Sequence, residues 1–79
     1  MRTTHEYRGY IFHISYEPRE PAYVVEFLDI PEIITSDRTL GAAFNNACEA
    51  LDLHLESLQK LGKRLPRAQH RLVMEEMKA

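Results

Sequence analysis

The sequence predicts an α+β domain: a three- to four-stranded, antiparallel-rich sheet packed on one long amphipathic helix. Three observations carry that expectation. Apolar residues alternate at period two through the first half of the chain. Clusters of proline and charge interrupt the alternation at hairpin spacing. From Leu40 the apolar period changes to three and four, the repeat of a helix face.

Tyr7 to Tyr16 reads as the first strand, with Tyr10, Phe12, Ile14 and Tyr16 on one face and Ile11, His13 and Ser15 on the other. His13 is then an outward-facing strand residue. Glu17-Pro18-Arg19-Glu20-Pro21 cannot sit in a central strand and marks a hairpin loop. Ala22 to Leu28 forms the second strand, with Tyr23, Val25 and Phe27 sharing a face. The loop is too short for a crossover helix, so the two strands pair antiparallel. Asp29-Ile30-Pro31-Glu32 is a second turn, and Ile33 to Ser36 a short third strand.

The helix follows. Leu40, Ala43, Phe44, Ala47, Leu51, Leu55, Leu58 and Leu61 make its apolar stripe. Thr39 precedes the first stripe residue and is the expected N-cap. Gly62 follows the last, where a left-handed C-cap is expected, and Lys60 and Lys63 suit the negative end of the dipole. Leu65-Pro66 ends the helical path. The last segment, 67–79, has helix-forming residues, yet His70 to Met77 also reads as a fourth strand returning to the sheet. The strand is preferred, because three strands cover a six-turn helix poorly; the order is then β-β-β-α-β.

One domain spanning 1–79 is all this length supports, and a chain so short buries only roughly 60–65% of its unfolded surface. Disulfides, metals or association commonly supplement such thin cores. Cys48 is the one cysteine, so no internal disulfide forms. His5, His13, His54 and His70 are scattered, without a short ligand pair. Homo-oligomerisation is therefore the expectation. No apolar run approaches the roughly 20 residues of a membrane span. Met1 to Glu6 lacks the apolar core of a signal peptide. With the single cysteine, this points to a cytoplasmic protein.

The sequence holds no recognisable catalytic, metal-binding or cofactor-binding set, so no enzyme and no cofactor are expected. Cys48 lies mid-helix beside the stripe, where a structural thiol is expected rather than a nucleophile. Ser15, Ser36 and Ser57 have no nucleophile-elbow context, and Gly9, Gly41 and Gly62 are too dispersed to cradle phosphate. The helix carboxylates Glu49, Asp52 and Glu56 read as a solvated face, and the first strand has no central carboxylate to share a metal.

Charge is divided unevenly. Residues 1–59 carry four arginines against ten carboxylates, a balance of −6; residues 60–79 carry six cations against two glutamates, a balance of +4. The basic part reads first as solvated charge beyond a helix C-terminus. Direct nucleic-acid contact through Lys60, Lys63, Arg64, Arg67 and Arg71 is the alternative, disfavoured because no aromatic or glycine interleaves the charge.

Two stretches carry a family resemblance. Tyr23 to Thr35 (YVVEFLDIPEIIT) resembles the "YvvsfPDlPGciT" passage of HicB antitoxins, and Thr39 to Leu51 (TLGAAFNNACEAL) resembles their "TleEAlenAkeAL". Gly62 to Pro66 (GKRLP) resembles the family's exit from the helix, so the likeness covers most of 7–66. The resemblance implies a partial ribonuclease-H-like fold without nuclease activity and a fourth strand after Pro66. It implies a HicA toxin, a small basic ribonuclease, as protein partner. Glu32 stands where the family often has glycine, which implies a different turn there. Many members add a C-terminal DNA-binding module; this chain reads as a stand-alone variant without autorepression of its own. The acidic balance of 1–59 fits a basic partner, and the loop carboxylates Glu17, Glu20, Asp29 and Glu32 are the contact candidates. The alternative is an orphan homo-oligomeric module in which Ala42, Ala50 and Leu53, off the main stripe, pack on a second subunit.

Overall fold

The computed structural model describes residues 1–71. Four antiparallel strands precede one helix: β1 Arg2–Tyr7, β2 Tyr10–Glu17, β3 Ala22–Phe27, β4 Ile34–Asp37 and α1 Leu40–Lys60. The strands lie in sequence order, so among the described residues the sheet is a meander with β1 and β4 at its edges.

The sheet, the two hairpins that follow Tyr16 and the long helix are as the sequence predicts; the strands differ at the N-terminus. The expected first strand is broken at Arg8-Gly9. Arg8 (φ 54) and Gly9 (φ 88) are both left-handed, the requirement of a two-residue type I′ hairpin turn. Tyr7 therefore pairs with Tyr10, His5 with Phe12 and Thr3 with Ile14. Closing a two-residue loop costs far less chain entropy than bringing a strand back from beyond the helix. The edge of β2 is thus taken by β1, and among the described residues the element order is β-β-β-β-α, with β1 an additional strand ahead of the three expected before the helix. Residues 63–71 carry no helix or strand; the rest of the expected C-terminal strand, 72–79, lies outside the described residues.

The turn after β3 is closed by Ile33 N–H donating to the Ile30 carbonyl at 3.1 Å. Glu32 does not have positive φ there, so no glycine is required. The turn buries Ile30 and Ile33 while Ile34 points away from the helix and stays 74% exposed.

Residues opposite one another across the ladders share a face. Tyr10, Phe12 and Ile14 of β2 and Val25 and Phe27 of β3 form the inner face, with Ile30 and Ile33 beside them. Against them α1 buries Ala43, Ala47, Leu51 and Leu55, the centre of the expected stripe. The stripe's ends, Leu40 and Leu61, are exposed. Thr39 caps α1, its Oγ1 accepting from Ala42 N–H at 3.1 Å. At the other end Lys63 N–H donates to Leu58 O and Gly62 N–H to Gln59 O, with Gly62 at φ 69: a complete Schellman motif. Among the described residues, a helix covers one face of the sheet. The other carries Thr4, His13, Val24, Glu26 and Ile34, while Ile11 on that side is buried.

Candidate functional site

Three side-chain arrangements fix the surfaces available for function. The first ties the hairpin turn to the helix. Asp52 of α1 accepts from the Tyr7 hydroxyl at 3.0 Å and from the Arg8 guanidinium at 2.9 Å. The Arg8–Asp52 pair is half-exposed, so water screens it and its value is positional more than energetic. The hydrogen bond to the Asp52 carboxylate, then burial, raises the Tyr7 phenol above its ordinary value. Cys48, one turn before Asp52, is a free, half-buried thiol. Burial, then the Asp52 charge, pushes it upward, the opposite of what a nucleophile needs.

The second is a histidine between the layers. His5 of β1 stacks on Phe12 at 5.3 Å and meets the edge of Phe44 at 5.2 Å. Its Nε2 shares a hydrogen bond of 2.7 Å with Thr3 Oγ1. Burial, then the charge of His13, lowers its pKa below the ordinary 6.5. His13 faces outward, as its register predicts, and its Nδ1 lies 3.0 Å from Thr4 Oγ1.

The third concerns the contact candidates. Asp29 is not a free loop carboxylate. One oxygen accepts from the backbone N–H groups of Gln69 (2.8 Å) and His70 (3.0 Å), and the other pairs with His70 Nδ1 at 2.7 Å. Its side chain is only 7% exposed. The His70 amide leads in holding this carboxyl below its ordinary value, with the His70 ring and the Gln69 amide assisting against desolvation. The Tyr10 hydroxyl donates to Pro66 O at 2.6 Å, so residues 66–70 form a strap across one end of the sheet.

Glu17 accepts from Arg19 N–H at 3.2 Å within its own loop. Glu20 and Glu32 are exposed. They stand on the side of the sheet that β4 ends, and the Ile33-Ile34 doublet of the expected third strand does not say which isoleucine faces in. Two grooves open there. One, of about 830 Å³, is lined by Glu20, Pro21, Ala22, Ser36, Asp37 and Arg38. The other, of about 240 Å³, is lined by Glu26, Phe27, Leu28, Pro31, Ile33 and Ile34.

The basic candidates Lys60, Lys63, Arg64, Arg67 and Arg71 are all exposed along the helix end and strap, and Lys60 lies 3.9 Å from Glu56 one turn back. Of the proposed oligomer contacts, Ala50 packs partly on the core, Ala42 is half-buried and Leu53 is 62% exposed. Among the described residues no three His, Cys, Asp or Glu side chains gather to hold a metal ion, and no helix is long and apolar enough to cross a membrane. No family model, no curated protein and no solved structure matches the chain.

Proposed function

We propose that the chain is a HicB-like antitoxin module: a cytoplasmic, non-catalytic protein that binds and neutralises a small basic ribonuclease. The observation that supports it most is the one-sided sheet. Among the described residues helix α1 covers the inner face alone, and the β4 side exposes Ile34 among Glu20, Glu26 and Glu32. An exposed strand edge with an apolar side chain and a mostly acidic rim is suited to a protein of opposite charge. The acidic balance of −6 in residues 1–59 supports the same partner.

The test is calorimetric titration with a HicA-type toxin, beside a ribonuclease assay. Saturable binding that weakens with salt and abolishes RNA cleavage supports the reading. Full ribonuclease activity at saturating chain contradicts it.

The exposure of Leu53 favours a second reading, self-association through the outer face of α1. Sedimentation at rising concentration tests it, and a constant monomer removes it.

A further inference from the structure

The two grooves lie at the two ends of one strand. β4 is the last strand of the sheet, so one side of its backbone has no strand beside it among the described residues. At Ser36 that edge is capped, because the Asn46 amide donates to the Ser36 carbonyl at 3.3 Å and to Asp37 Oδ2 at 2.9 Å. The Ile34-Thr35 half is left open, with Ile34 the most exposed large apolar residue of the described chain. The opposite edge differs: β1 begins at Arg2 and turns at Arg8, and the residues it points away from the helix, Arg2, Thr4 and Glu6, are polar. Charged and polar edges resist strand addition, whereas an apolar one invites it.

We infer that the β4 edge takes up an extended, positively charged segment of a protein partner as an added strand, centred on Ile34-Thr35. This rests on the antitoxin-like reading and specifies how that reading is executed. Backbone pairing to β4 supplies affinity, and alternate side chains of the incoming strand supply selectivity. Its apolar positions cover Ile34 and enter the groove over Phe27 and Pro31. Its cationic positions meet Glu26 and Glu32 at one end of β4 and Glu20 and Asp37 at the other. Arg38 is the one cation lining either groove among the described residues. A second copy is a poorer occupant, because antiparallel β4–β4 pairing places the carboxylates of one copy against those of the other.

The experiment maps backbone amide shifts and hydrogen exchange of the full chain. The probe is a capped hexapeptide of alternating arginine and valine, with a control of the same composition interrupted by proline. Shifts and new protection at residues 34–36, lost with the proline peptide and weakened by salt, support the inference. Ile34→Lys is expected to lower affinity at least about tenfold, since it removes the burial of one large aliphatic side chain. Equal binding of the proline peptide, shifts confined to other strands, or no binding overturns the inference. So does a concentration-dependent dimer that protects β4 without peptide. A HicA-type toxin serves as the second arm: binding with a footprint that avoids β4 overturns this inference alone, while absence of binding overturns the antitoxin reading itself.

Discussion

Asp29 and His70 stand 41 residues apart in sequence and meet at 2.7 Å, carboxylate to imidazole, with two backbone amides completing the grip on the carboxylate. This contact decides where the chain goes after the helix. Asp29→Ala removes all three acceptor contacts, and His70→Ala removes one. Trypsin cleavage after Arg67 is therefore expected to accelerate in both variants, more in Asp29→Ala. Because folding holds the Asp29 carboxyl below its ordinary 3.8, the strap is secure above that value and loosens as pH falls through the lowered one. Unchanged cleavage in Asp29→Ala means the strap is held elsewhere.

His5 sets a second pH dependence, of matching sign. Its pKa is lowered on folding, so the unfolded chain takes up the proton first. Stability is full above the ordinary value of 6.5 and falls as pH drops through the lowered folded value. Urea midpoints of wild type and His5→Phe measured between about pH 7.5 and 5 check this. The wild-type midpoint is expected to fall more steeply on the acid side. Parallel curves exclude His5 as the cause.

The turn glycines are worth more than their size. Gly9→Ala and Gly62→Ala place a Cβ at φ 88 and φ 69 respectively, although each meets open space. The cost is conformational, about 1–2 kcal/mol each. Chemical denaturation is expected to show a lower midpoint with an unchanged slope.

Leu51 and Leu53 separate core from surface on one helix. Leu51 is fully buried and Leu53 is 62% exposed. Leu51→Ala is expected to cost about 2–5 kcal/mol, a large part of the stability of a domain this small. Leu53→Ala stays within about 0.5 kcal/mol in the monomer. Circular dichroism melts distinguish the two, and a large loss from Leu53→Ala points to a face buried by association.

Local signals made most of the fold legible. Thr39, Gly62 and the leucine stripe are read within a few residues of themselves, and all three stand in the structure. β1 was hidden by its own composition. Thr3, His5 and Tyr7 face the core but are weakly apolar, and Tyr7 and Tyr10 on either side of Arg8-Gly9 let one strand be read across the turn. The site was less legible than the fold. The engagement of Asp29 depends on a strap far away in sequence, and Tyr7–Asp52 on the angle at which the helix crosses the sheet. Neither has a local signature. Glu20 and Glu32 are exposed as loop position implies, but Glu26, Asp37 and Ile34 join them only once β4 is known to be an edge.

The proposed function is one binding event: capture of a small basic ribonuclease of the HicA type by the acidic β4 side. The direct measurement is a calorimetric titration of that protein into wild type and Ile34→Lys, at low and at moderate salt. Saturable binding is expected, weakened by salt and reduced at least about tenfold by the substitution. Absence of heat and of ribonuclease inhibition at any salt would contradict it.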